Sequence, residues 1–269
     1  MLGFRDLNSG LRQLGLDAGC PVILHASLSS FGEIRGGAEA LLGAVLSLAS
    51  GVMMPAFTYK TMIVPEVGPP NNGMVYGSQR DQNRMAEFFH PDMPVDPSLG
   101  ITAETMRRLP DAHRSTHPAL SFSGLQVDSA LTVQSIAEPL APITALAEMG
   151  GWVLLLGVNQ TVNTSLHQAE RLAGRPQFTG WALTNAGVVE CPNFPGCSKG
   201  FSNVSSFLQD LTRRGQIGNA RVEAIPLTEM IERIKNAIED DPQAFLCDRP
   251  DCAECGAVRR QLSTVGTPE

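Results

Sequence analysis

Trp152-Val153-Leu154-Leu155-Leu156-Gly157-Val158, followed closely by Asn163-Thr164-Ser165-Leu166-His167-Gln168-Ala169-Glu170, is the stretch whose reading decides the fold. The first half is a short apolar run, β-branched in part and ended by Gly and Asn, which reads as a buried strand. In the second half Asn163 or Thr164 can cap a helix whose first turn contains His167. His167 and Glu170 stand three apart, so a helix puts both on one face. Strand, short loop and a His/carboxylate pair at a helix start place a proton-transfer group at a sheet's edge. The positive end of a helix dipole works against a second proton on an imidazole there. On spacing alone the pair reads equally as a capping histidine and a solvated glutamate.

Toward the N-terminus, residues 21–28 read as a strand running into a turn. Ser29-Ser30-Phe31-Gly32-Glu33-Ile34-Arg35-Gly36-Gly37 then reads as a Ser/Gly-rich loop entering a helix over 38–48. Such a loop makes an anion site, because free backbone N–H groups, hydroxyl donors and the helix dipole converge. The pattern matches no phosphate-loop motif, and a plain strand-to-helix turn fits it as well. A short helix is expected over 9–19 and a second strand over 52–58. Residues 59–97 are irregular and rich in Pro and Gly, with a short helix expected around 84–89. A loop of that length usually carries function. Helices are expected over 100–108, 126–133 and 142–149, and His117, held extended before Pro118, can project from a strand edge, with a structural role preferred for it as a lone site.

Beyond Glu170, residues 178–190 read as a hairpin bending at Asn185-Ala186-Gly187. Residues 203–214 have a helical pattern, and 221–227 alternate like a strand. Thr228 caps a helix to about Asp240, whose Met230, Ile231, Ile234 and Ile238 stripe is core. Strands and helices alternate without a barrel's regularity. This predicts an α/β fold, a layered α/β/α domain with a mixed central sheet and a smaller helical or irregular annex. Residues 1–269 are expected to form a single domain with a cysteine-rich C-terminal part at about 191–255.

A chain of 269 residues with 43% hydrophobic content has ample core. No apolar run reaches membrane length, and no secretory signal is visible at the start, so a cytoplasmic protein with no membrane partner is expected. The net charge is −7, and the absence of a basic stripe argues against nucleic acid. An acidic surface suits a cationic small molecule. Cys252-Ala253-Glu254-Cys255 has the gap of a zinc knuckle, and Cys247 with the Cys191/Cys197 pair would complete four ligands. The remaining gaps are looser than usual knuckle spacing, so free buried thiols are preferred to a structural zinc and no metal is assigned.

Several segments together resemble the aminoglycoside 3-N-acetyltransferases, in the family's order. They are His25-Ala-Ser-Leu-Ser-Ser-Phe-Gly32 with Arg35-Gly-Gly-Ala38, Met54-Pro-Ala-Phe-Thr58, Arg114-Ser-Thr-His-Pro118, Val153-Leu-Leu-Leu-Gly-Val158 and Asn163–Glu170. The resemblance implies an acyltransferase that moves an acetyl group from acetyl-CoA to the 3-amino group of a 2-deoxystreptamine aminoglycoside, conferring antibiotic resistance. Its fold would be the family's own α/β type, distinct from the GNAT acetyltransferases. His167 would be the general base, with Glu170 either orienting it or holding an ammonium of the drug. Thr164 or Ser165 would stabilise the oxyanion. Ser27, Leu28, Ser29 and Ser30, with Arg35, Gly36 and Gly37, would bind the cosubstrate's pantetheine and pyrophosphate. His25 and His117 would line the site, and Asp81, Glu87, Asp92 and Asp96 of the long loop would offer carboxylates to a polycation. The enzyme would act as a monomer or homodimer. The loop after Thr58 and the cysteine-rich C-terminal part depart from the family pattern.

Three rival readings compete. One keeps acetyl-CoA and changes the acceptor to another amine metabolite. Another is a non-catalytic protein that sequesters cationic drugs. The third, a metal-dependent hydrolase using His25, His117 and His167, stands last for want of a compact ligand motif.

Overall fold

Residues 22–26, 52–55 and 152–156 are buried along their whole length, so each must be covered from both faces. The computed structural model describes residues 1–16, 19–77 and 80–265. In chain order its elements are α1 (Phe4–Gln13), β1 (Val22–Ala26), α2 (Gly37–Leu46), β2 (Val52–Pro55), β3 (Met62–Ile63), α3 (Arg80–Arg84), α4 (Gly100–Arg108), β4 (His113–Arg114) and β5 (Phe122–Leu125). There follow α5 (Asp128–Leu131), α6 (Ala141–Glu148), β6 (Trp152–Leu156), α7 (Ser165–Leu172), β7 (Phe178–Thr184), β8 (Gly187–Phe194), β9 (Arg213–Ile217), β10 (Ala220–Pro226), α8 (Leu227–Asp240) and α9 (Ala253–Val265).

A seven-stranded mixed sheet runs in the order β4-β5-β2-β1-β6-β10-β9. Strands β2, β1 and β6 are mutually parallel at its centre, and the outer pairings are antiparallel. Strand periodicity splits the apolar residues between two cores. Ile23, Met53, Val153 and Leu155 pack with residues of α5, α6, α7 and α8. Val22, Leu24, Val52, Met54, Leu154 and Leu156 pack with residues of α1, α2 and α4. Each such buried side chain contributes about 1.5–3 kcal/mol, so the parallel centre dominates the sheet's stability. The layered α/β/α architecture with a mixed sheet is the expected one.

From β1 the chain passes through α2 to β2 on one side, and later returns to lay β6 on the other. The loops leaving the C-terminal ends of β1, β2 and β6 therefore diverge at one edge and open a crevice there.

The annex carries, besides helix α9, a sheet that the sequence did not announce. Strands β3, β7 and β8 form a three-stranded antiparallel sheet. Beside it a small core gathers Phe178, Leu246, Cys247, Cys255 and Val258, the last two from α9. The hairpin of β7 and β8 turns at Asn185-Ala186 as expected, but its third strand is only two residues long and lies in the long loop, too short to show a period.

Other boundaries shift for identifiable reasons. Residues 199–206 wind as a 3-10 helix, and residues 213–217 become edge strand β9, because pairing with β10 overrides the local helical pattern. The helix expected over 9–19 spans Phe4–Gln13, and positions 17 and 18 lie outside the described residues. The helix expected near 84–89 lies at Arg80–Arg84, and that over 126–133 shrinks to Asp128–Leu131 behind an unanticipated strand, β5. Thr228 does not cap α8; its hydroxyl donates to the Ala147 carbonyl at 3.0 Å. Among the described residues, no helix is long and apolar enough to cross a membrane.

Candidate active site

A cavity of about 920 Å³ opens at the C-terminal ends of the parallel strands. Its walls come from β1 and the loop behind it, from the loops after β2 and β6, from the start of α4, and from the annex. Thr164 and His167 line it, as do His25, Tyr59, Gly196, Ser198 and Glu254.

His167 is held by a buried chain of polar contacts. The Asn163 Oδ1 accepts the Ser165 backbone N–H at 3.2 Å, so Asn163 rather than Thr164 supplies the side-chain cap of α7. One turn of helix then brings His167 Nδ1 to 2.7 Å from Glu170 Oε2. The other carboxylate oxygen accepts from Arg175 Nη1 at 2.5 Å, and Arg175 Nη2 donates to the carbonyls of Pro242 and Ala244 at 3.1 and 2.6 Å. His167, Glu170 and Arg175 are 7%, 5% and 6% exposed, so the chain is screened little by solvent. The Phe201 ring packs on the imidazole with centroids 4.7 Å apart. With Nδ1 donating to the carboxylate, Nε2 is the nitrogen left for the cavity. Glu170 does not line the cavity, and its two oxygens are engaged by His167 and Arg175. Ser165 is fully buried and its hydroxyl does not reach the cavity, whereas Thr164 does.

The N-terminal loop folds around hydroxyls. Ser30 Oγ lies 2.9 Å from Ser27 Oγ and donates to the Gly157 carbonyl at 2.8 Å, which ties the loop after β1 to the end of β6. Gly157 has φ +69°, and a Cβ there would fall 2.5 Å from Ser30 Cβ, so the junction admits only glycine. Ser27, Leu28, Ser29 and Gly37 line the cavity, with the first amides of α2 beside it; Ser30, Arg35 and Gly36 do not. Ser30 braces the loop, and Gly36 is the left-handed N-cap of α2.

His25 lines the cavity from β1 with Nε2 buried and unpartnered, and burial pushes its pKa from 6.5 down to about 4. His117 lies outside the cavity wall. Its Nδ1 accepts the backbone N–H groups of Ala119 and Leu120 at 3.2 and 2.9 Å, and burial lowers its pKa to about 4. It stiffens a turn. Asp81 and Glu87 are exposed on the long loop, paired with Arg84 at 3.5 Å and Lys60 at 3.2 Å, and neither lines the cavity, nor do Asp92 and Asp96. Tyr59, from the start of that loop, does line it, with its pKa raised to about 12 by burial and by Asp96.

Glu254, Arg175 and Phe201 are the residues that sequence reasoning missed. Glu254 is the carboxylate that lines the cavity among the described residues, and its position inside Cys252-Ala253-Glu254-Cys255 was its only signal. Around it four of the cysteines converge: the sulfurs of Cys197, Cys247, Cys252 and Cys255 all lie within 4.8 Å of one another. Cys191 stands apart in the core behind β8, so the expected Cys191/Cys197 pairing is replaced by Cys197 alone.

Comparison with known proteins gives concordant results. The family model for aminoglycoside 3-N-acetyltransferase matches residues 23–239. Aminoglycoside N(3)-acetyltransferase IV from Salmonella sp is 26% identical over 262 residues, covering 90% of this chain and 89% of its own. Aminoglycoside N(3)-acetyltransferase VII from Streptomyces paromomycinus is 34% identical over 184 residues, 64% of this chain and 60% of its own. The crystal structure of aminoglycoside acetyltransferase AAC(3)-IVa, apoenzyme, superposes with a TM-score of 0.78 at 26% identity, over 96% of this chain and 97% of that one.

Proposed function

The chain belongs to the aminoglycoside 3-N-acetyltransferase family, and on that premise we propose that it acetylates the 3-amino group of a 2-deoxystreptamine aminoglycoside from acetyl-CoA, with His167 as general base. The observation that carries the site assignment is the pairing of His167 Nδ1 with Glu170 at 2.7 Å beside the cavity, which leaves Nε2 free to take a proton.

The acceptor arrives as an ammonium and must lose a proton before its nitrogen can attack a thioester. His167 Nε2 takes that proton, and the buried Glu170 carboxylate, itself held by Arg175, steadies the imidazolium so formed. The nitrogen adds to the acetyl carbonyl, and the tetrahedral oxyanion is met by the Thr164 hydroxyl. Collapse breaks the C–S bond, and loss of the nitrogen's remaining extra proton to solvent leaves the neutral amide. His167 returns its proton to the departing thiolate, which leaves as coenzyme A thiol. Ser27, Ser29 and Gly37 support the pantetheine arm, and the amides at the start of α2 receive the pyrophosphate. Glu254 meets an ammonium of the drug.

The test is a thiol-release assay with acetyl-CoA across aminoglycosides that have or lack a 3-amino group. Release only with the 3-amino compounds is expected. Failure with all of them would sink the acceptor assignment. A second reading, transfer to a smaller amine, draws on the cavity wall offering the single carboxylate of Glu254 among the described residues, and release with simple diamines but not with the drugs would favour it.

A further inference from the structure

Four cysteines that acetyl transfer does not use meet in one place. Cys197 follows β8, Cys247 follows α8, and Cys252 and Cys255 open α9, so residues distant in sequence place four sulfurs within 4.8 Å of one another. From these contacts we infer that Cys197, Cys247, Cys252 and Cys255 bind one structural zinc ion, which fixes the annex wall of the cavity.

Geometry favours the ion. Zn–S bonds of about 2.3 Å set tetrahedral S···S edges of about 3.8 Å, so a small inward rotation of the side chains closes the site. Backbone donors already point at the sulfurs: Lys199 N–H lies 3.4 Å from Cys197 Sγ, and Cys247 N–H lies 3.4 Å from Cys255 Sγ. Such N–H···S bonds favour thiolate ligands. A zinc tetrathiolate carries two net negative charges. Lys199 follows a ligand by two residues, Arg249 follows another but is paired with Asp251 at 2.7 Å, and Arg259 Nη2 donates to the Cys247 carbonyl at 2.8 Å. Four soft sulfurs without an open position select zinc over oxygen-seeking cations. Binding exchanges four S–H bonds for four Zn–S bonds and releases four protons to solvent.

The annex also needs a staple. Its core is the small cluster around Phe178, Leu246 and Val258, and few apolar groups hold α9 in place. The ligands flank the residues that matter to the cavity. Cys197 sits between Gly196 and Ser198, and Cys252 and Cys255 bracket Glu254, all three of them cavity-lining. Cys252 Sγ now donates to Glu254 Oε2 at 3.3 Å; as a zinc-bound thiolate it has no proton to donate, and the carboxylate is released to a cationic acceptor. The metal site stands without the acetyltransferase reading, whereas its effect on the acceptor rests on it.

The experiment is metal analysis of the intact protein, purified without chelator or immobilised metal. About one zinc per chain is expected, released by a mercurial thiol reagent with a matching drop in melting temperature that added zinc reverses. Cys252→Ser and Cys247→Ser should each lose the zinc, while Cys191→Ser and Cys20→Ser keep it. Should either ligand variant fail to fold, the wild-type zinc content and its mercurial release decide alone. Substoichiometric zinc after incubation with excess zinc, iron in its place, or disulfides at these positions would each overturn the inference. None of these readouts depends on turnover, so a metal-free active enzyme and a zinc-bound inactive one are told apart.

Discussion

Nδ1 of His167 lies 2.7 Å from Oε2 of Glu170, one helical turn further along α7, and both side chains are buried. A carboxylate so placed selects the imidazole tautomer whose Nε2 faces the cavity. Its second oxygen rests on Arg175 at 2.5 Å, so its charge is balanced without reaching into the cavity.

Replacing the base tests the assignment directly. His167→Ala should lower kcat by roughly two to four orders of magnitude, the usual worth of a positioned general base, with little change in acetyl-CoA binding. Thiol release under saturating substrate measures it. An effect below tenfold would assign the proton to another group.

In the proposed mechanism Glu170 acts on rate through His167, which it contacts at 2.7 Å. In Glu170→Gln the amide no longer stabilises the imidazolium, and kcat should fall at least tenfold while KM for the drug changes little. A higher KM with unchanged kcat would instead make Glu170 a ligand of the antibiotic.

Arg175 contributes to stability. Arg175→Ala leaves the Glu170 carboxylate buried without its counter-charge, and loss of one partner of such a pair costs about 3–5 kcal/mol. Urea unfolding monitored by tryptophan fluorescence gives the difference. A loss under 1 kcal/mol would mean that water replaces the guanidinium.

Acid should destabilise the fold through two histidines that are not part of the proton transfer. His25 and His117 have pKa values lowered from 6.5 to about 4 by burial. The unfolded chain therefore binds more protons between those values, so unfolding free energy falls as pH drops from 6.5 toward 4 and is unaffected by these groups above that window. The shifts correspond to on the order of 3 kcal/mol per histidine. Urea midpoints at pH 7 and pH 4.5 measure the fall, and a His117→Gln variant should show a shallower pH dependence. Equal slopes in variant and wild type would remove His117 from the account.

Glu254 is the cavity's carboxylate among the described residues. Glu254→Gln should raise KM for the aminoglycoside by roughly tenfold or more, since a hydrogen bond to a charged group contributes about 1.5–3 kcal/mol, and leave KM for acetyl-CoA unchanged. Steady-state kinetics with each substrate varied in turn distinguish the two.

Local pattern carried much of this protein. The runs 21–28, 52–58 and 152–158 read as strands and the structure places strands within each, while the Asn163–Glu170 stretch places His167 and Glu170 on one helix face, because periodicity and capping act over a few residues. The ordered motifs carried the family. Only tertiary structure decided what Glu170 touches: Arg175 arrives from the turn after α7, held by carbonyls at 242 and 244 that no spacing rule relates to it. The same holds for the acidic wall, where exposed Asp81 and Glu87 pair on the long loop and Glu254 faces the cavity instead. It holds again for the cysteines, where Cys191 turns into the core and Cys197 joins the other three. Each of these depends on how the annex docks on the central sheet, a long-range packing choice set by buried area and polar pairing that a local sequence pattern does not encode.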